Sequence, residues 1–192
     1  MLYSTFTPFA TRSIRLLVCE APQKPSYEEQ KIISHNFVQT LLSNAGISTP
    51  IDVGRTIYGK PQARYRNMPI NFNISHSENI TVGITNRLPV GIDIEAKDRP
   101  IEIDIDYVYS EVFMTKLDAA SALKTHSFVE LWTIKEAVLK ASGYGLWGGL
   151  KNISINMTNH HRGHACFFNQ NFEVETASLG RFAVASAVRI EN

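Results

Sequence analysis

A chain of 192 residues, 44% of them hydrophobic, is long enough for one good-sized core or for two small lobes packed together. Its formal charge of +1 excludes a broadly basic nucleic-acid-binding surface, and no window is apolar for long enough to cross a bilayer. The N-terminus lacks the basic–apolar–small order of a secretory signal, and Cys19 and Cys166 lie far apart, which predicts a cytoplasmic protein with reduced, buried thiols.

In chain order, Ser13 to Cys19 is aliphatic and closed by Pro22 and Pro25, a first strand. Ser26, with Glu29 three residues on, has the capping-box pattern and opens a helix. Its stripe is Ile32, Ile33, Phe37, Val38, Leu41 and Leu42, and it ends near Gly46. Asp52 to Tyr58 is a short strand, Gly59-Lys60-Pro61 breaks it, and Gln62 to Pro69 reads as a loop carrying Arg64 and Arg66. Ile70 to Ser75 and Asn79 to Thr85 are strands joined by the turn His76-Ser77-Glu78. After the turn Asn86 to Pro89, Val90 to Glu95 is a further strand with Ile92 and Ile94 on its buried face. Ile101 to Thr125 predicts two short helices with Val108, Tyr109, Val112, Phe113, Leu117 and Leu123 as apolar positions. Phe128 to Ser142 is a long helix stopped by Gly143. Lys151 to Asn156, Gly163 to Phe168, Phe172 to Thr176 and Arg181 to Arg189 complete the chain as strands with hairpin turns. The order predicts an α+β protein of two halves, residues 1–88 and 89–192, each a small sheet packed with helices.

Two stretches carry chemistry. In Gly91-Ile92-Asp93-Ile94-Glu95 the carboxylates of Asp93 and Glu95 share one face at strand spacing; in Trp132-Thr-Ile-Lys135-Glu136-Ala-Val-Leu-Lys140, Trp132, Glu136 and Lys140 stack four residues apart. Glu136 and Lys140 alone are an ordinary surface ion pair, and Asp93 and Glu95 alone are the solvated face of an edge strand. If the three carboxylates meet, their repulsion calls for a cation or a buried base; an oxygen-only set points to Mg²⁺ or Mn²⁺, and Mg²⁺ to a phosphorylated substrate. His76 between Ser75 and Ser77 is either a solvated turn residue or a corner that donates to phosphate. His160, His161 and His164 straddle a hairpin tip and make no zinc set, and no P-loop, nucleophile elbow or dinucleotide fingerprint is present.

Together these stretches resemble the two signature motifs of the 4′-phosphopantetheinyl transferases. Asn73-Ile-Ser75-His76-Ser77 and Gly59-Lys60-Pro61 resemble the upstream motifs of the Sfp-type branch, in the compact form of bacterial holo-acyl-carrier-protein synthase-like members. The resemblance runs from about Tyr58 to Gly145. It implies a pseudo-dimer binding coenzyme A and Mg²⁺ in the cleft between its halves. The implied reaction transfers 4′-phosphopantetheine to a serine of an apo acyl or peptidyl carrier protein and releases adenosine 3′,5′-bisphosphate. The metal ligands would be Asp93, Glu95 and Glu136. Coenzyme A would be held by Gly59, Lys60, Pro61, Ser75, His76, Asp93 and Lys140, with neither nucleic acid nor membrane as a partner, by a monomer. Glu136, or a metal-bound water that it orients, would be the base, and Lys140 would meet the leaving phosphate while Lys135 faces solvent or the pantetheine arm. Val112, Phe113, Met114 and Leu117, near Lys116, would face the carrier, or else form lobe core.

The chain departs from the family pattern in two places. His35 to Leu42 has no arginine where the family's N-terminal helix carries one, which leaves Lys31, Arg64 or Arg66 to grip the 3′-phosphate, and Val108-Tyr109-Ser110 stands where Phe-Phe-Ser is usual. The alternative these departures raise is a carrier-binding module with weak or lost transfer.

Overall fold

The computed structural model describes residues 1–6, 9, 16–47, 52–55, 61–66, 68–99 and 105–190. Its first part comprises β1 (Leu2–Phe6), β2 (Leu16–Glu20), α1 (Tyr27–Asn44), β3 (Asp52–Arg55), β4 (Pro61–Tyr65), β5 (Met68–Ser77) and β6 (Ile80–Asn86). Then follow β7 (Val90–Ala96), α2 (Ile105–Val112), α3 (Lys116–Ala122), α4 (Phe128–Ser142) and β8 (Ile153–Met157), β9 (Arg162–Phe167), β10 (Gln170–Leu179) and β11 (Phe182–Ile190). The strands form two antiparallel sheets, one of six in the order β1-β2-β6-β5-β4-β3 and one of five in the order β7-β11-β10-β9-β8. The fold is α+β, as its residues imply.

Three apolar clusters hold it. Phe37, Val38, Leu41 and Leu42 of α1 pack with Leu17, Cys19 and Phe72 on one face of the six-stranded sheet. Ile134, Val138 and Leu139 of α4 pack with Phe167, Phe172 and Val174 on one face of the five-stranded sheet. Val82, Ile84, Ile92, Ile94 and Val184 make a third cluster shared by both sheets. Strand β11 shows how period-two alternation serves two clusters: Phe182, Val184 and Val188 join the shared one, while Ala185 and Ala187 lie in that of α4.

Helix α1 begins where its capping box predicts, since Ser26 and Glu29 satisfy each other's backbone donors. Ile32 of the predicted stripe is 60% exposed. Three strand expectations are corrected. The segment read as a loop from Gln62 contains β4, which pairs with both β3 and β5 and turns at Arg66, a non-glycine residue with φ 51°. His76 and Ser77 belong to β5, so the turn to β6 is Glu78-Asn79, with Glu78 at φ 51°. β1, which periodicity did not find, pairs antiparallel with β2. The first part of the predicted strand Ser13 to Cys19, the end of the one from Asp52 to Tyr58 and the start of the segment Ile101 to Thr125 lie outside the described residues.

Candidate active site

Strand β7 and helix α4 approach closely because the residues between them are small. A Cβ on Gly91 would run into the Ala137 carbonyl and the Ala141 amide of α4, nearer than any real side chain comes. Across the ladder Gly91 faces Ala187 and Asp93 faces Ala185. α4 starts at a second capping box, Ser127 with Glu130, and ends at Gly143, whose φ of 85° suits glycine. The acidic strand is thereby held against the helix face bearing Glu136 and Lys140.

Side chains of β5 reach β7 at every second residue. The Ile92 amide donates to Asn73 Oδ1 at 2.8 Å, Ser75 Oγ donates to Asp93 Oδ1 at 2.7 Å, and Ser77 Oγ donates to Glu95 Oε2 at 3.3 Å. Lys140 Nζ donates to Asp93 Oδ1 at 2.6 Å and to Ser75 Oγ at 2.9 Å. The ion pair of Lys140 is thus made with Asp93 across elements, not with Glu136 along the helix. Asp93 Oδ2 is buried and has no hydrogen-bond partner. Arg99 Nη1 donates to Glu95 Oε1 at 2.8 Å.

The electrostatics follow from crowding. Burial and then the Asp93 charge push the Glu136 carboxyl up to about 7, with Lys140 opposing and Glu95 adding to the rise. Burial and then Asp93 also raise Glu95, against Arg99 and Ser77. His76 is held below the ordinary imidazole value by desolvation and then by the Lys140 ammonium, with Asp93 opposing. Among the described residues these carboxylates are not closed into a compact ligand set of three. Their chemistry fits a hard cation all the same: the donors are oxygens, the charge of Asp93 raises the affinity of Glu136 and Glu95 for protons, and one buried oxygen lacks a partner among the described residues.

A cleft of about 520 Å³ adjoins this cluster, lined by His76, Ser77, Glu95, Ala96 and Arg99, by Lys24 to Tyr27 and Gln30, and by Glu78, Asp98 and Arg181. Gly59 and Lys60 lie outside the described residues, and Pro61 opens β4, half-buried, without lining the cleft. Ser75 directs its hydroxyl at Asp93, while His76 opens onto the cleft. Lys31 pairs with Glu28 at 2.9 Å and covers the Tyr27 ring, and Arg64 and Arg66 are exposed near the β4–β5 turn. The described cations that line the cleft are Lys24, Arg99 and Arg181, which no local pattern in the sequence marked.

Two further expectations are corrected. Lys135 does not face solvent: it is 3% exposed and donates to the carbonyls of Val112 at 2.7 Å, Ile153 at 2.9 Å and Leu150 at 3.3 Å. Val112 and Phe113 are core residues, at 0% and 4% exposure, whereas Met114 and Leu117 stand out at 72% and 81%. Val112 and Phe113 belong to the cluster of α4, where Tyr109 of α2 stacks on Phe128 and Phe113 meets Tyr109 at a tilt and Phe128 edge-on.

A strand of paired carboxylates thus lies against a helix that offers a third carboxylate and a lysine, beside an open polar cleft. The family model of the 4′-phosphopantetheinyl transferase superfamily matches residues 89–187, just over half of the chain, and the chain belongs to that superfamily. It is similar to the 4′-phosphopantetheinyl transferase gsp of Aneurinibacillus migulanus, 40% identical over 103 residues, covering 52% of this chain and 41% of that protein. The 4′-phosphopantetheinyl transferase Sfp of Bacillus subtilis is 34% identical over 107 residues, 52% of this chain and 45% of that one. A longer match, 29% identical over 174 residues, joins 80% of this chain to 62% of the L-aminoadipate-semialdehyde dehydrogenase-phosphopantetheinyl transferase of Schizosaccharomyces pombe. The chain thus matches under half the length of the two bacterial relatives. Among the described residues no helix is long and apolar enough to cross a membrane.

Proposed function

We propose that this protein transfers 4′-phosphopantetheine from coenzyme A to a serine of an apo acyl or peptidyl carrier protein, releasing adenosine 3′,5′-bisphosphate. The observation that carries the reading is Asp93: one carboxylate oxygen is bound by Ser75 and Lys140, while the other is buried, unpartnered and close enough to Glu136 and Glu95 to raise both. Asp93, Glu95 and Glu136 would hold one Mg²⁺, or Mn²⁺, which when bound neutralises charge on the pyrophosphate of coenzyme A.

The chain's own groups do the rest. Glu136, whose carboxyl titrates near neutrality, takes the proton of the carrier serine as its oxygen bonds to the phosphorus that bears pantetheine. The bond from that phosphorus to the bridging oxygen breaks, and the electron pair leaves with the bisphosphate. Lys140, already drawn to the cluster by Asp93 and Ser75, meets that developing charge, and His76 lines the cleft along which the phosphates extend. Ser75 acts by holding Asp93 and Lys140 in register. The protein would divide at 88/89 into the two halves whose seam is this β5–β7 contact. Met114 and Leu117, with exposed Lys116 between them in sequence, form an apolar step with a basic rim suited to an acidic carrier.

The test is mass spectrometry of an apo carrier protein incubated with this protein, coenzyme A and Mg²⁺. A gain of one phosphopantetheine is expected, reduced about a hundredfold or more in rate for Asp93→Asn. No gain over a panel of fatty-acid, polyketide and peptide carriers would refute the reading.

A further inference from the structure

The far wall of the cleft is built from charges on both sheets. Arg181 follows Gly180, whose φ of 56° turns the chain between β10 and β11, and its carbonyl accepts from the Lys97 amide at 3.0 Å. Its Nη1 donates to both carboxylate oxygens of Asp98, each at 2.7 Å, and its Nη2 pairs with Glu78. The guanidinium lies over the Phe182 ring, 5.1 Å from its centroid. Asp98 follows β7 of the five-stranded sheet, whereas Glu78 sits in the β5–β6 turn of the six-stranded one. All three residues line the cleft beside His76, Ser77 and Glu95.

We propose that Arg181 is a positioning residue, an ionic clasp that ties the β5–β6 turn to the end of β7 and so fixes the opening of the cleft around its substrate. Two carboxylates face one guanidinium; without it they repel, and the turn that carries Glu78 moves away from β7. His76 and Ser77 immediately precede Glu78, and Ser77 is tethered to Glu95, so the movement is felt where the substrate's phosphates enter. A single exposed ion pair does little, but a guanidinium whose two terminal nitrogens each hold a carboxylate from a separate element joins a three-charge network that restrains both. The identity of that substrate as coenzyme A rests on the transferase reading; the clasp itself does not.

The test compares Arg181→Gln, Glu78→Asn and the double variant, asparagine being at ease with the left-handed backbone that Glu78 adopts. Steady-state kinetics with coenzyme A and an apo carrier are read beside amide hydrogen exchange of the β5–β6 turn. Each single variant should raise KM for coenzyme A about 3- to 10-fold with little change in kcat, and speed exchange in the turn by a similar factor. The double variant should be no worse than Arg181→Gln, because the two groups act as a unit, and Arg181→Lys should recover part of the loss. Wild-type KM and exchange in Arg181→Gln, or additive losses in the double variant, would overturn the clasp. If the wild-type protein transfers nothing, the transferase reading fails and exchange alone decides: acceleration in both single variants upholds the clasp, and unchanged exchange refutes it.

Discussion

Replacing Lys135 by methionine keeps the unbranched stem and removes only the ammonium, which makes it a clean measure of what a buried lysine does in α4. Burial pushes the Lys135 ammonium down to about 8, a cost of about 3 kcal/mol for holding the charge at neutral pH. Against that cost stand three carbonyls. Val112 ends α2, Leu150 lies in a short 3₁₀ turn where its carbonyl also accepts from the Ile153 amide, and Ile153 starts β8, facing Phe167 across the ladder. Left without a donor, a buried carbonyl costs about 1–3 kcal/mol, a penalty that falls on Val112 and Ile153, since Leu150 keeps the Ile153 amide. The recovered desolvation offsets part of this, and the expected net loss is about 1–3 kcal/mol, or roughly 2–10 °C in Tm for a chain of this size. The assay is urea unfolding of Lys135→Met beside wild type, with kcat/KM measured per folded molecule well below the lower midpoint. Stability should fall while the kinetics of the folded fraction change by less than about threefold, because the ammonium is turned to the α2 and β8 ends rather than to the cleft. A variant as stable as wild type would show that the Val112 and Ile153 carbonyls find other donors, and would refute the assignment of Lys135 as the staple of this core.

Gly91→Ala should lower stability by about 1–3 kcal/mol and abolish transfer as well, since α4 must move off β7 and carry Glu136 and Lys140 from Asp93; retention of both wild-type Tm and activity would disprove the close-approach argument. Ser127→Ala should cost about 1 kcal/mol at pH 7 through loss of the α4 cap. Burial raises the Glu130 carboxyl, but the bonds from Ser127 outweigh it and leave the group below its ordinary value. A depressed carboxylate stabilises above its unfolded pKa and loses that contribution as pH falls through the folded one, so the gap between wild type and Ser127→Ala should narrow in acid unfolding below about pH 4.

What the sequence revealed follows from how local each signal is. The Ser26–Glu29 capping box and Gly143 are rules of a few residues, and α1 begins and α4 ends where those rules put them; the box of Ser127 and Glu130 is as local a signal and opens α4, but was missed. The alternation in β7 likewise sends Ile92 and Ile94 to one cluster and Asp93 towards α4. Lys135 was misread because a lysine on an amphipathic helix ordinarily points to water. α4 is not such a helix: Leu131, Ile134, Ala137, Val138, Leu139 and Ala141 leave it apolar on most sides, and that breadth was the available warning. β4 was missed because Gln62, Arg64 and Tyr65 have no clean alternation and Arg66 is no usual turn residue. Arg99 and Arg181 belong to the cleft only through tertiary placement, Arg181 lying 83 residues from Asp98 and 103 from Glu78.

The position of the site follows from β7 being an edge. Among the described residues it is paired on one side only, with β11, and an open edge beside buried isoleucines invites another strand. Here the edge is met by side chains instead, as Asn73, Ser75 and Ser77 of β5 engage Ile92, Asp93 and Glu95. A backbone ladder across this seam would have fused the two sheets and satisfied every group. Side-chain bridges leave the join adjustable, and they leave Asp93 with an oxygen that no group among the described residues satisfies. Apolar residues at Ser75 and Asp93 would remove that cost and in other proteins often raise stability. The polar choice at both positions supports the proposal that the seam serves a ligand rather than the fold.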